Sequence, residues 1–122
     1  MNRNAYIDGM MGLVVGDALG VPYEFRSREQ MKAESATDMI GYGTYNVPAG
    51  TWSDDSSMAL ATLDALRNGC DLEAIMRNFA DWLYNRNYTP YGEVFDIGFT
   101  CRTAISNYVK SGNINTCGCD GE

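Results

Sequence analysis

The segment Ser53-Asp54-Asp55-Ser56 carries the side chains that are best suited to chemistry. A hydroxyl followed by two carboxylates offers three hard oxygen ligands, which suit Mg²⁺ or Mn²⁺. The alternative is plain helix capping, in which Ser53 accepts from backbone N–H groups and both carboxylates benefit from the helix dipole. Consecutive helical residues point about 100° apart, so a cap needs only one of the two carboxylates. The segment by itself is compatible with both interpretations.

Two further segments place a carboxylate next to the end of a helix. Glu24 follows a glycine-rich helix onto a loop, where the plain alternative is a solvated surface charge. Asp17, near the end of that helix, could simply bond a neighbouring helix terminus. Asp96 lies between apolar residues at the entrance to a later helix, and it could be either an N-cap or a catalytic group.

Composition restricts the chemistry that this chain can perform. The 122 residues include 9 Lys and Arg, 16 Asp and Glu, and no His, which gives a net charge of −7. The missing histidine excludes Ser-His-Asp triads and histidine-containing zinc sites. The acidic balance argues against nucleic acid as a partner, because such binding draws on several Lys and Arg contacts to phosphates.

No segment of the sequence predicts membrane insertion or secretion. The longest apolar stretch near the start, Met10 to Val15, is too short for a membrane span and is flanked by Asp8 and Asp17. We therefore expect a cytoplasmic protein in which the four cysteines are free thiols. A thiolate metal site around Cys117 and Cys119 is an alternative, although without histidine it would need both other cysteines.

The hydrophobic pattern is helical throughout, and no alternating run predicts a sheet. The first helix runs from about Asn4 to Leu19, with glycines three or four residues apart along one side, where another helix could approach closely. Ser27 and Gln30 form a capping box that opens a short helix to about Lys32. The long irregular segment from Ala36 to Trp52 is of a length that is usually functional.

Three more helices follow. One begins at Ser53, is almost entirely apolar between Met58 and Leu66, and is capped by Gly69. The next is capped by Asp71 and ends near Arg86. The last runs from about Phe99 to Lys110 and stops at Gly112, after a loop over 88–98. The chain beyond is expected to be an unfinished loop. The second of these helices has a core-facing stripe, formed by Leu72, Ile75, Met76, Phe79, Trp82 and Leu83.

The predicted architecture is an all-α, compact helical bundle with unusual proportions. An apolar helix must be surrounded by protein, and five helices, one of them short, scarcely provide neighbours on every side of the segment between Met58 and Leu66. We infer that helices are missing from this chain and are supplied by a continuation or by a second chain.

Three motifs occur along the chain in a defined order. They are Gly16-Asp17-Ala18-Leu19-Gly20 with Pro22 and Glu24, Gly50-Thr51-Trp52-Ser53-Asp54-Asp55-Ser56 with Met58-Ala59-Leu60, and Phe95-Asp96-Ile97-Gly98. Together they resemble the N-terminal part of the ADP-ribosylglycohydrolase family, which includes the dinitrogenase reductase-activating glycohydrolase and the ADP-ribosyl-acceptor hydrolases. Each motif is short, but their order and spacing make the match specific. The resemblance covers essentially the whole chain, residues 1–122, as the N-terminal portion of a single domain.

The resemblance implies an all-α fold with two Mg²⁺ or Mn²⁺ ions that bind the ribose of an ADP-ribosyl group. It places metal-ligand roles on Ser53, Asp54 and Asp55; serine where many members carry threonine keeps the liganding oxygen. It implies that Glu24 contacts substrate or metal and that Asp96, with Gly98 beside it, lies near the ribose. Glu24 and Asp96 are therefore the expected catalytic carboxylates.

The family completes its metal site with a later Gly-Asp-x-Asp-Thr motif, which this sequence lacks. Two six-coordinate ions need about twelve ligand positions, more than the carboxylates and hydroxyl of this chain can fill. We therefore expect the N-terminal half of a metal-dependent hydrolase that cleaves ADP-ribose from an acceptor and needs the missing C-terminal half or a second chain. The rival is a non-catalytic protein of the same fold, truncated or crystallin-like, that acts through oligomerisation.

Overall fold

The computed structural model describes residues 3–119, and within that range the chain is helical and contains no strand. The all-α prediction is confirmed. Five α-helices follow one another, and short 3₁₀ turns follow the first and the last of them. The helices are α1 (Arg3–Gly20), α2 (Arg28–Ala33), α3 (Asp54–Leu66), α4 (Leu72–Asn85) and α5 (Phe99–Ser111). The chain forms two compact units, Met1–Ser56 and Ser57–Glu122, which we call the N-terminal and C-terminal units.

In the N-terminal unit, α1 continues into a 3₁₀ turn over Val21–Tyr23, where Pro22 ends the α-helical hydrogen bonding. The capping box of α2 is confirmed: Ser27 Oγ accepts from Gln30 N at 3.2 Å, and Gln30 Oε1 accepts from Ser27 N at 2.8 Å. The segment that follows α2 is irregular up to α3, as predicted.

This irregular segment is anchored on the turn that follows α1. Thr44 N and Thr44 Oγ1 both donate to the Pro22 carbonyl, at 3.2 and 3.4 Å. A Cβ at Gly43 would lie only 2.6 Å from Pro22 Cα, so the close approach requires glycine at this position. The segment is therefore held against the end of α1 by specific backbone contacts.

In the C-terminal unit, α4 and α5 pack together around Trp82, Ile105 and Tyr108. Asp71 caps α4, as predicted, with Oδ1 accepting from Glu73 N at 2.9 Å. Gly112 ends α5 with a φ of 66°. Leu72 was expected in the core-facing stripe, but it is 64% exposed, because it stands in the first turn of α4, away from the packed residues.

Two other expectations for this unit need correction or qualification. The segment after α5 was expected to be an unfinished loop, but it forms a 3₁₀ turn over Ile114–Thr116 and buries Cys117, whose carbonyl accepts from Asn107 Nδ2 at 3.3 Å. On α3, Ala61 and Ala65 are buried whereas Leu63 and Leu66 are exposed. Among residues 3–119, α3 is therefore covered on the side of Ala61 and Ala65 and exposed at Leu63 and Leu66.

Candidate functional site

The first feature of the candidate site is an unusual cap at the N-terminus of α3. The carboxylate of Asp17, on α1, accepts four hydrogen bonds from this helix terminus. Oδ2 accepts from Ser53 N at 2.9 Å, from Ser56 N at 3.1 Å and from Ser56 Oγ at 2.5 Å. Oδ1 accepts from Ser53 Oγ at 2.7 Å. An N-cap is ordinarily the residue that directly precedes the helix, whereas this carboxylate comes from 36 residues earlier.

This cap fixes the two serines that flank the acidic pair. Ser53 is 5% exposed and Ser56 is fully buried. Each donates its hydroxyl hydrogen to Asp17, which fixes the orientation of both hydroxyl groups. Asp17 is half-buried, and the four donors offset the loss of hydration of its carboxylate. The plain interpretation of Asp17, a bond to a neighbouring helix terminus, is confirmed.

Asp54 and Asp55 are the first two residues of α3, as the sequence predicts, and both benefit from the helix dipole. Asp54 is half-buried, whereas the Asp55 carboxylate is exposed and takes no hydrogen bond or ion pair from any residue within 3–119. Since Asp17 accepts from the backbone N–H groups of Ser53 and Ser56, capping does not by itself require two adjacent carboxylates.

The donor set around Ser53 suits a hard cation but is small. One hydroxyl and two carboxylates are oxygen donors of the kind that Mg²⁺ and Mn²⁺ bind. In the part of the chain that the structure describes, no group of three or more Asp, Glu or Cys side chains could hold a metal ion. All four cysteines are free thiols. The residues present could therefore supply only part of a dinuclear site.

Glu24 lies directly after the 3₁₀ turn, seven residues beyond Asp17, and is half-buried. Its carbonyl accepts from Thr44 Oγ1 at 2.7 Å, so the anchored irregular segment also fixes the Glu24 backbone. Phe25, next to it, has a φ of 60° and its ring lies 6.3 Å from that of Tyr45. The backbone at Glu24 is thus held from both the turn and the long loop.

Asp96 and Gly98 lie in the C-terminal unit, on the approach to α5. Gly98 is the N-cap of α5 and provides no side-chain hydrogen bond, so the suggestion that Asp96 is the N-cap is wrong. Asp96 is half-buried and has a φ of 65°, a left-handed conformation that Asp tolerates better than most residues. Its backbone conformation is therefore one that few residue types adopt readily.

Comparisons with known proteins agree with these motifs. A sequence model of the family described as ADP-ribosylglycohydrolase matches residues 2–121, which is nearly the whole chain. The chain belongs to the ADP-ribosylglycohydrolase family. The family resemblance predicted from the sequence is therefore confirmed.

Two curated relatives carry informative names. The chain is 32% identical over 105 residues to ADP-ribosylarginine hydrolase Tri1 of Serratia proteamaculans, a match covering 84% of this chain and 28% of the relative. It is 32% identical over 110 residues to ADP-ribosyl-[dinitrogen reductase] glycohydrolase of Rhodospirillum rubrum, covering 87% of this chain and 35% of the relative. The chain thus spans about a third of the length of the curated relatives it matches.

The hydrogen bonds between Asp17 and the start of α3 were not predicted from the sequence. Asp17 and Ser56 were recognised as motif residues, but neither was placed in the site. A signal was present in the spacing, since Ser53 and Ser56 lie three residues apart and therefore share one side of a helix start. Only the three-dimensional structure shows that they share a partner on α1.

Among residues 3–119, no helix is long and apolar enough to cross a membrane.

Proposed function

We propose that this chain supplies the N-terminal portion of a metal-dependent hydrolase that cleaves the glycosidic bond between ADP-ribose and an acceptor. Membership of the ADP-ribosylglycohydrolase family and the names of the relatives support the reaction class. Because the chain spans about a third of those relatives, the remaining ligands and substrate contacts belong to a polypeptide that corresponds to their other two thirds.

The observation that carries the metal assignment is the cap from Asp17. Because that carboxylate accepts from the backbone N–H groups of Ser53 and Ser56, the cap of α3 does not depend on the Asp54 and Asp55 carboxylates in its first turn. We assign Ser53, Asp54 and Asp55 as ligands of one or both of two Mg²⁺ or Mn²⁺ ions. When bound, such ions would act as Lewis acids that orient the ribose hydroxyls and stabilise charge at the anomeric centre.

Glu24 and Asp96 are assigned as the carboxylates that act on water and substrate. Hydrolysis of a glycosidic bond needs a carboxylate that accepts a proton from the attacking water. Glu24 is suited to this because its backbone is fixed while its side chain is only partly buried. Asp96 is assigned to the ribose, together with Gly98, which has no side chain to obstruct the approach to the start of α5.

Arginine is the first acceptor to test, because the Serratia relative is named an ADP-ribosylarginine hydrolase. The net charge of −7 fits binding of a pyrophosphate through metal ions better than through Lys and Arg side chains. Because of the same negative charge, we do not expect a nucleic acid to be a partner.

The test is hydrolysis of ADP-ribosylarginine by the chain together with the remaining two thirds of the Serratia relative. We expect hydrolysis with Mg²⁺, loss of hydrolysis with a chelator, and a decrease of at least a hundredfold for each of Asp54→Ala and Asp55→Ala. Asp8→Ala, which removes an exposed carboxylate of α1, serves as the matched control and should retain activity. Activity that persists in both Asp54→Ala and Asp55→Ala would refute the metal assignment, and absence of hydrolysis in every arrangement would favour the non-catalytic alternative.

A further inference from the structure

An open pocket in the C-terminal unit is lined by three charged side chains. It has a volume of about 410 Å³ and lies between the end of α4, the loop over 88–98 and α5. The end of α4 contributes Arg86, the loop contributes Glu93, and α5 contributes Arg102. Because two guanidinium groups face one carboxylate, the pocket is locally cationic in a chain whose net charge is −7.

The charged groups of this pocket are not paired with one another or with other residues. Within residues 3–119, the side chains of Arg86, Arg102 and Glu93 form no ion pair and no hydrogen bond. Two other arginines of the same unit differ, since Arg67 and Arg77 lie 3.3 and 3.5 Å from carboxylate oxygens. The pocket therefore holds two guanidinium groups whose donors this part of the chain does not use.

The backbone of each pocket arginine is held in place by hydrogen bonds. Arg86 N donates to the Trp82 carbonyl at 3.0 Å, and the Arg86 carbonyl accepts from Thr89 Oγ1 at 2.6 Å. Arg102 N donates to the Gly98 carbonyl at 3.0 Å. The two side chains therefore enter the pocket from fixed points on α4 and α5.

Helix stability accounts for only one of these arginines. Arg86 follows the last turn of α4, where the helix dipole favours a positive charge. Arg102 is the fourth residue of α5, near the N-terminal end, where the dipole disfavours a positive charge. Because Arg102 also lacks an ion pair, its position calls for a negatively charged ligand.

We propose that Arg86 and Arg102 bind a phosphate group in this pocket. A carboxylate offers two oxygens, which one guanidinium fork can bind, whereas a phosphate group offers at least three oxygens and more charge for two forks. The two candidate sources are inorganic phosphate and the pyrophosphate of an ADP-ribosyl group. The second source rests on the proposed function, in which Asp96 lies near the ribose. The Cα atoms of Glu93 and Asp96 are at most about 11 Å apart, since three residues separate them along the chain.

The test is titration of the 122-residue chain with inorganic phosphate, followed by the arginine Nε–H signals in ¹H–¹⁵N NMR spectra. EDTA is present throughout, so that binding through metal ions does not contribute. Arg86→Gln and Arg102→Gln should each weaken binding about tenfold, because each removes charge-assisted hydrogen bonds. Glu93→Gln should strengthen binding about twofold, because it removes a nearby like charge. Arg28→Gln, which removes an exposed guanidinium from α2, is the matched control and should bind as the original chain does.

A parallel titration with ADP-ribose distinguishes the two sources. ADP-ribose that binds more tightly than inorganic phosphate, and that loses affinity in Arg86→Gln and Arg102→Gln, would identify the ADP-ribosyl pyrophosphate as the ligand. Arginine-dependent binding of inorganic phosphate that ADP-ribose does not exceed would identify free phosphate.

Three results would overturn the inference. They are no binding of either probe to the original chain, equal binding by the original chain and both pocket arginine variants, and binding of acetate as tight as that of phosphate. The two proposals fail separately. Hydrolysis by the combined polypeptides without arginine-dependent phosphate binding would reject the pocket alone, whereas arginine-dependent binding without hydrolysis would count against the proposed function alone.

Discussion

The two units of this chain bury different kinds of residue. The C-terminal unit has a conventional core in which Trp82, Ile105 and Tyr108 are buried where α4 packs on α5. In the N-terminal unit the buried residues are small or polar, namely Ala18, Val21, Pro22, Thr51, Ser53 and Ser56. The C-terminal unit is held mainly by burial of large apolar side chains, whereas the N-terminal unit depends on directed hydrogen bonds around Asp17.

This difference distinguishes contacts that stabilise the chain from contacts that orient individual polar groups. Apolar burial is roughly proportional to area and has no direction, so it stabilises a helix pair without fixing individual polar groups. Hydrogen bonds fix orientation at a modest net gain of about 0.5–1.5 kcal/mol each. The N-terminal unit therefore holds the acidic start of α3 in a defined orientation while leaving α1 with exposed apolar surface. We interpret the N-terminal unit as the part of the chain that orients the proposed metal ligands Ser53, Asp54 and Asp55.

The largest expected effect comes from removing the centre of the apolar core. Trp82→Ala should lower the free energy of unfolding by about 3–5 kcal/mol, because it deletes a large side chain that is 1% exposed. The measurement is urea unfolding followed by circular dichroism. Leu72→Ala, at an exposed position of the same helix, is the control and should change stability by less than about 0.5 kcal/mol. Similar losses in both variants would mean that α4 is not packed as described.

The second largest effect on stability is expected from removing the Asp17 carboxylate that caps α3. Asp17→Ala should destabilise the chain by about 2 kcal/mol, because it leaves the backbone N–H groups of Ser53 and Ser56 without their acceptor. Hydrogen exchange should show faster exchange at those two amides, while amides of α4 and α5 keep their protection. Asp8→Ala on the same helix is the control. Uniform loss of protection across the C-terminal unit would contradict the division between the two units.

The smallest effect is a titration in the C-terminal unit. Burial, followed by the hydrogen bond that Tyr88 donates to Asp64 at 2.8 Å, raises the pKa of Tyr88 from 10.0 to about 12. Because this pKa is higher in the folded state, the associated stability is complete below pH 10 and is lost as the pH rises through about 12. The ultraviolet difference titration between the original chain and Tyr88→Phe should show this component.

The control for that titration is Tyr91→Phe, which removes an exposed tyrosine and should leave the component near pH 12 in place. The same hydrogen bond lowers the pKa of Asp64, so its contribution is present above pH 3.8 and declines as the pH falls further. A Tyr88 component centred at pH 10 would show that the Tyr88–Asp64 contact is absent in solution.

Features with local signals were predictable from the sequence. The capping box of Ser27 and Gln30, the cap at Asp71 and the end of α5 at Gly112 each depend on residues a few positions apart, and all three were predicted. The capping of α3 by Asp17 was not predicted, because Asp17 is 36 and 39 residues away from its partners Ser53 and Ser56. No pattern within one helix specifies such a contact.

The difference between local and long-range contacts also explains which sequence predictions were wrong. The stripe of α4 is periodic from Leu72 onward, but periodicity does not tell where a neighbouring helix ends, and Leu72 is exposed. The polar segment after α5 was expected to be a loop, yet the Asn113 side chain accepts from Asn115 N at 2.9 Å and forms a turn that buries Cys117. The metal and catalytic roles of Ser53, Asp54, Asp55, Glu24 and Asp96 stay predictions.

Manganese binding tests the central claim most directly. The chain combined with the remaining two thirds of the Serratia relative is titrated with Mn²⁺, and free Mn²⁺ is followed by electron paramagnetic resonance. The account predicts that the original chain and Asp8→Ala remove Mn²⁺ from solution, and that Asp54→Ala and Asp55→Ala each weaken this binding at least tenfold. Unchanged Mn²⁺ binding by both Asp54→Ala and Asp55→Ala would contradict it and would return these residues to helix capping alone.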